Sequence, residues 1–152
     1  MYQQERLLTA YCGLYCADCI RYESRASDLA KELMDILEEK NYAEYSAVKS
    51  ASVKALNHFG QLKSALKAIE ELKCDKPCRT GDNDCTKICK IIKCTQAKNF
   101  EGCWECDELD PCEKFDFLRP FHGDAPKTNC RLVRKYGLDH WSTHRSKCYI
   151  WL

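Results

Sequence analysis

Thirteen cysteines in a chain of 152 residues constrain this protein more than any other feature of its sequence. That is close to one residue in twelve, far above ordinary usage, and the thiols need an explanation. They are not scattered. Cys12, Cys16 and Cys19 form an N-terminal group, eight more lie within 74–112, none occurs in 24–73, and Cys130 and Cys148 stand alone. Disulfides, metal ligation and reactive thiol chemistry are the three candidate uses. The stretch Met1–Thr9 carries an acid, a base and only two adjacent aliphatics, which is not a secretory signal. The expectation is therefore a reducing, cytoplasmic setting, where disulfides are rare. An odd number of cysteines also prevents complete pairing within the chain. Metal is the leading expectation.

Spacing sharpens it. Two cysteines separated by two residues close a tight turn that presents both thiolates to one ion, and four thiolates make a closed tetrahedral site for zinc. Cys16-Ala17-Asp18-Cys19 and Cys103-Trp104-Glu105-Cys106 have this spacing. Cys12 and Cys16, Cys74 and Cys78, and Cys85 and Cys89 are four apart, so each pair would share a face if helical. Cys94 and Cys112 complete a set of eleven candidate ligands, enough for about two closed zinc sites. Which pairs join is not decided by spacing.

Iron–sulfur ligation is the main alternative, since thiolates alone serve either metal. The run Cys85, Cys89, Cys94, Cys103, Cys106, Cys112 does not match ferredoxin spacing, and Pro111 precedes Cys112 rather than following it. Cys12-x3-Cys16-x2-Cys19 is also the cluster spacing of radical S-adenosylmethionine enzymes. Asp18 stands where that family places an aromatic, and the chain is short for its barrel. A third possibility is an enzyme with an exposed metal-thiolate site. No Ser-His-Asp signature, glycine-rich phosphate loop or His-Glu-x-x-His motif is present. His140, His144 and Cys148 would fall on one face if 140–149 were helical. A surface helix is the plainer reading there, and His58 and His122 read as ordinary lone residues. Cys130 and Cys148 read as buried small hydrophobes.

The net charge of +1 gives no nucleic-acid signal, and no stretch is long and apolar enough for a membrane span. A protein partner stays open. The charge is segregated: Glu101–Asp116 holds seven acids and one base, Arg119–Lys147 seven bases and two acids. The simplest outcome is solvated faces.

Residues 24–73, without cysteine or proline, read as a helical hairpin inserted into a single domain spanning 1–152. Ser27 is the expected N-cap. Leu29, Leu33, Ile36 and Leu37 are expected to form one buried stripe, and Ala55, Phe59, Leu62, Leu66 and Ile69 a second, with a break at Asn41-Tyr42. Gly60 is a candidate second break. Short helices are expected at 85–94, 113–118, Asn129–Tyr136 (ended by Gly137) and 140–149, with Trp141 and Trp151 as anchors.

Tyr11-Cys12-Gly13-Leu14-Tyr15-Cys16-Ala17-Asp18-Cys19 resembles the opening signature of a prokaryotic cysteine-rich family, domain of unknown function 3795. Cys89-Lys90-Ile91-Ile92-Lys93-Cys94, followed by Glu101-Gly102-Cys103-Trp104-Glu105-Cys106 and Pro111-Cys112-Glu113, resembles its central block. The close, from Asn129 through Gly137-Leu138 to Trp141, is similar to its tail. The resemblance implies a bacterial or archaeal protein with zinc sites at Cys12, Cys16, Cys19, Cys89, Cys94, Cys103, Cys106 and Cys112. Family members show Cys-x2-Cys where this chain has Cys74-x3-Cys78. No activity comes with the resemblance.

The expected protein is mostly α: a small cysteine-rich, metal-stapled domain with irregular loops and a helical hairpin. Residues 1–23 and 74–152 would form the metal-binding part. Its expected role is a zinc-binding interaction or regulatory module.

Overall fold

A computed structural model describes residues 2–81, 87 and 89–152. The chain is mostly helical, with an isolated β bridge between Thr9 and Tyr15. It divides into two compact units, Met1–Tyr22 with Asp75–Leu152, and Glu23–Cys74.

The Glu23–Cys74 unit is built on α2 (Arg25–Glu39), α3 (Tyr42–Lys49) and α4 (Phe59–Glu71), after a first helix α1 (Tyr2–Leu8) in the other unit. Ser24, not Ser27, caps α2: its hydroxyl accepts the Ser27 amide at 3.4 Å. Ser27 turns inward and donates its own hydroxyl to the Ile69 carbonyl at 2.8 Å, tying α2 to α4. This contact decides which face is buried. Ala30 and Met34, three and seven residues on from Ser27, are the buried apolar positions of α2. The expected stripe is rotated outward, leaving Leu29, Leu33 and Ile36 exposed. On α4, Leu62 and Ile69 are exposed too, while Phe59 and Leu66 are half-buried. Asn41 breaks the hairpin at φ 50°, as its residue type allows. Gly60 breaks nothing and sits in the first turn of α4.

In the larger unit the helices are short: α5 (Lys90–Ala97), α6 (Arg119–His122) and α7 (Ala125–Tyr136). Of the expected 85–94 helix, Lys87 is helical, Cys89 is not, and α5 starts at Lys90 and runs on to Ala97. A 3₁₀ turn covers Glu113–Leu118. Helix α7 begins four residues before Asn129, because Pro126 occupies its first turn, where the missing amide hydrogen costs nothing. Pro126, Asn129, Cys130 and Val133 are its buried face, at helical spacing, and Gly137 ends it with φ 78°. The expected 140–149 helix reduces to one 3₁₀ turn, Trp141–His144. The Asn129 amide oxygen explains why: it accepts from the Ser146 amide at 3.0 Å and the Ser146 hydroxyl at 2.9 Å, holding that segment extended.

One core joins these pieces, formed by Ile91, Trp104, Leu109, Phe115, Cys130, Val133, Trp141 and neighbours. Trp141 is completely buried beside Tyr15, edge to face at 6.0 Å. Its indole donates to the Thr9 hydroxyl at 3.0 Å, and that hydroxyl donates to the Glu5 carbonyl at 2.7 Å. The C-terminal segment is thereby fastened to the end of α1. Trp151 is no such anchor; it is 56% exposed and stacks on Tyr149. Replacing Trp141 by Phe removes the buried bond to the Thr9 hydroxyl, which keeps only its Glu5 contact, and leaves a void where the indole was, so denaturant unfolding should show a loss of about 1–3 kcal/mol.

Candidate metal centre

The N-terminal cysteines sit on a loop whose shape is set by its backbone. After α1, the Ala10 amide bonds the Leu14 carbonyl at 2.8 Å, and the Gly13 amide bonds the Ala10 carbonyl at 2.9 Å. Gly13 turns the chain at φ +85° against the start of α7: a Cβ there would lie 2.7 Å from the Pro126 carbonyl oxygen and 2.9 Å from Cys130 Sγ. The Cys130 thiol donates to the Cys12 carbonyl at 3.4 Å. A 3₁₀ turn then carries Cys16–Asp18, closed by the Cys19 amide on the Cys16 carbonyl at 3.0 Å. Asp18 is held by the Arg145 guanidinium, whose Nη2 is 2.9 Å from Oδ1, and Arg145 also stacks over Tyr15. That is the task of an aspartate at this place in the turn.

A first thiol group lies in the central block. Cys94 from α5, Cys103 and Cys106 at the two ends of the 3₁₀ turn Cys103–Glu105, and Cys112 just before the Glu113–Leu118 turn line one small cleft. Its floor includes Ile91, Leu109 and Phe115, and among the described residues its lining holds no carboxylate and no imidazole. The turn is fixed by the Cys106 amide on the Cys103 carbonyl at 3.1 Å and by Arg134, which donates to the carbonyls of Trp104 (2.6 Å) and Cys106. Gly102 precedes it because a Cβ there would lie 2.3 Å from the Trp104 ring. Burial pushes the Cys103 thiol up to about 12, and its neighbours Cys112, Cys106, Cys94 and Cys89 push the same way. Lys98 reaches the rim, its Nζ 3.7 Å from Cys106 Sγ and 3.2 Å from Glu108.

A second set of thiols gathers around the N-terminal loop. The Cys78 amide donates to Cys16 Sγ at 3.5 Å. Arg79 locks this approach: its Nε donates to the Thr9 carbonyl at 2.6 Å, its Nη2 to the Glu101 carbonyl at 2.9 Å, and it stacks over Tyr11 and Trp104. The Cys12 thiol is raised well above its ordinary value, first by burial and then by Cys78, Cys130 and Cys89, with the Leu14 amide opposing. Cys12, Cys16 and Cys89 all pack on the same core. Cys19 faces elsewhere, its Sγ accepting from the Tyr149 hydroxyl at 3.5 Å. Cys74 ends the Glu23–Cys74 unit, and Cys85 lies outside the described residues. The pairs Cys12/Cys16 and Cys74/Cys78 are not on helices, so their spacing of four has no helical meaning. Among the described residues, no three Cys, His, Asp or Glu side chains close to the geometry of a bound ion.

Cys130 and Cys148 are buried, as expected. His140, His144 and Cys148 do not share a helical face. His144 stacks on Tyr136 at 3.8 Å instead. The neighbour of Cys148 is His122, whose Nδ1 lies 3.8 Å from its Sγ and bonds its carbonyl oxygen. No local pattern in the sequence pointed to His122, because its partner lies 26 residues away.

A family described as a protein of unknown function, DUF3795, has a model that matches residues 8–117. No curated protein and no solved structure matches the chain.

The close approach at Gly13 is testable by comparison with Gly81, which also has positive φ (+75°) but open space around it. Gly81→Ala should cost only backbone strain, on the order of 1 kcal/mol. Gly13→Ala must also displace α7, and its unfolding midpoint should fall further, by the equivalent of about 2–4 kcal/mol.

Proposed function

We propose, for a chain that belongs to the DUF3795 family of proteins of unknown function, that its cysteine-rich unit binds zinc as thiolates and uses the metal structurally. The supporting observation is the cleft shared by Cys94, Cys103, Cys106 and Cys112. A donor set of sulfur alone suits a borderline-soft cation, and four sulfurs leave no coordination position for substrate. The residues fit the metal in a second respect. The Cys103 thiol is held protonated first by burial and then by its cysteine neighbours, and a bound divalent cation would reverse that by charge neutralisation.

The fold suits a structural metal. From Cys89 to Leu118 the chain is one eight-residue helix joined to loops and 3₁₀ turns, anchored in the core by Ile91, Trp104, Leu109 and Phe115 but with little regular hydrogen bonding to hold the loops between them. In a closed site, metal binding free energy is folding free energy. The functional surface would then be the loops the metal orders. All seven acids between Glu101 and Asp116 point to solvent while Leu109 and Phe115 point inward, which suits docking to a basic partner. The protein is thus read as a zinc-ordered interaction module.

Protein purified in reducing buffer without chelator should contain about two zinc ions per chain and should be colourless. A broad visible band with bound iron would replace zinc by an iron–sulfur cluster, and a fully folded, metal-free chain would overturn the reading. Cys103→Ser should lower the zinc content by one ion and depress the thermal midpoint.

A further inference from the structure

We infer that the apolar side of the Glu23–Cys74 unit, made by Leu29, Leu33, Ile36, Leu62 and Ile69, docks on the same side of a second copy of this chain to form a four-helix dimer. The inference goes beyond the zinc reading and uses none of its residues. Helices α2 and α4 run antiparallel. Ser27, near the start of α2, bonds the Ile69 carbonyl near the end of α4, and Glu38, near the end of α2, pairs with Lys63 near the start of α4 at 3.0 Å. Ser27, Ala30 and Met34 are the buried face of α2. At about 100° per residue, Leu29, Leu33 and Ile36 form a stripe to one side of that face. On α4, Leu62 and Ile69 lie to the corresponding side of the half-buried row Lys63, Leu66 and Glu70. Because the helices are antiparallel, the two stripes point to the same side of the layer. The ion pairs Lys31–Asp35, Lys63–Glu38 and Lys67–Glu71 occupy the other side. One surface of the hairpin is therefore charged and the opposite one aliphatic.

Size, chemistry and area identify the occupant. A unit of about fifty residues is marginal on its own, and such units are completed by disulfides, metals or association. Among the described residues of this one, Ala30 and Met34 are the only buried apolar side chains. It holds one cysteine, Cys74, and one histidine, His58, so an internal disulfide and a thiolate–imidazole metal site are both closed to it. Association remains. The five aliphatics are each between 40% and 48% exposed. They leave on the order of 400 Å² of apolar surface, as much as a monomer ordinarily shows in one patch. A stable dimer buries about 800 Å² per partner, roughly two-thirds of it apolar. The stripes supply most of that, and the exposed Ala65 on the same side extends them. They carry no charged group that would select an acidic or basic partner, whereas a twofold axis lays them on themselves. Two such layers stacked face to face make a four-helix bundle.

The test is the solution mass of the full chain in reducing buffer, measured by sedimentation across the micromolar range. Twice the chain mass is expected, falling to the monomer on dilution. Leu33→Glu puts one carboxylate from each copy into the apolar interface and should weaken association by about 100-fold or more. Lys31→Gln, on the charged side, should leave it unchanged. Because a variant can fail to fold, hydrogen exchange is also followed on the unmutated protein as its concentration rises. Amides of residues 29–37 and 62–69 should slow together with dimer formation. A chain that stays monomeric at high micromolar concentration overturns the inference, whether the stripes exchange freely or are protected from within the chain. So does a dimer that survives Leu33→Glu in a folded variant, or whose concentration-dependent protection maps outside the two stripes. The readout is mass and not metal content, so none of these results bears on the zinc reading.

Discussion

The hydrogen bond from the Cys103 amide to the Tyr11 carbonyl, 2.8 Å long, is the contact on which the cysteine-rich unit depends. It joins the loop carrying Cys12, Cys16 and Cys19 to the turn carrying Cys103 and Cys106. Both partners are backbone groups in irregular structure, which no helix or sheet ladder would satisfy. Around it, Trp141 reaches the Thr9 hydroxyl from one direction and Arg79 the Thr9 carbonyl from another. The few residues from Thr9 to Tyr11 are therefore the place where both ends and the middle of the unit meet.

Arginine does much of the fastening. Arg79 donates to the carbonyls of Thr9 and Glu101, Arg134 to those of Trp104 and Cys106, and Arg145 to the Ser142 carbonyl and both oxygens of Asp18. Loops expose carbonyls in diverging directions, and a planar guanidinium can bridge two of them at once. A lysine ammonium offers no such fork. This accounts for part of the basic C-terminal run: Arg134 and Arg145 are spent on backbone oxygens and Asp18, while Arg131 pairs with Asp110 and Arg119 with Asp124. Arg79 and Arg145 also lie over aromatic rings, so their planes fill space as well as carry charge.

The cysteines themselves play two parts. Cys103 and Cys130 are members of the oily core, alongside Ile91, Val133 and Trp141. A thiol is small and weakly polar enough to pack there. Cys94, Cys106 and Cys112 line the rim of the same core, half-buried and open to a shared cleft. The unit thus places its sulfurs at the boundary between apolar interior and solvent, the position from which a thiolate can bind a cation while its neighbours exclude water.

Much was legible in the sequence. Helical period, the cysteine-free composition of 24–73, the left-handed tolerance of Asn41 and the glycine after Tyr136 are local properties, and the mostly helical class and several element ends followed from them. The family was legible because its motifs are contiguous strings. What could not be read was anything decided between distant residues. The inward turn of Ser27 onto the Ile69 carbonyl rotated α2 so that Ala30 and Met34 are buried and the more hydrophobic leucines are not. The bond from Asn129 to Ser146 straightened a segment whose own spacing suggested a helix. Equally, identical Cys-x2-Cys spacing gave one pair facing a common cleft and another divided between Cys78 and Tyr149. Spacing fixes only how far apart two sulfurs can be; the direction each one faces is set by partners that approach from elsewhere in the chain, and those only the tertiary structure supplies.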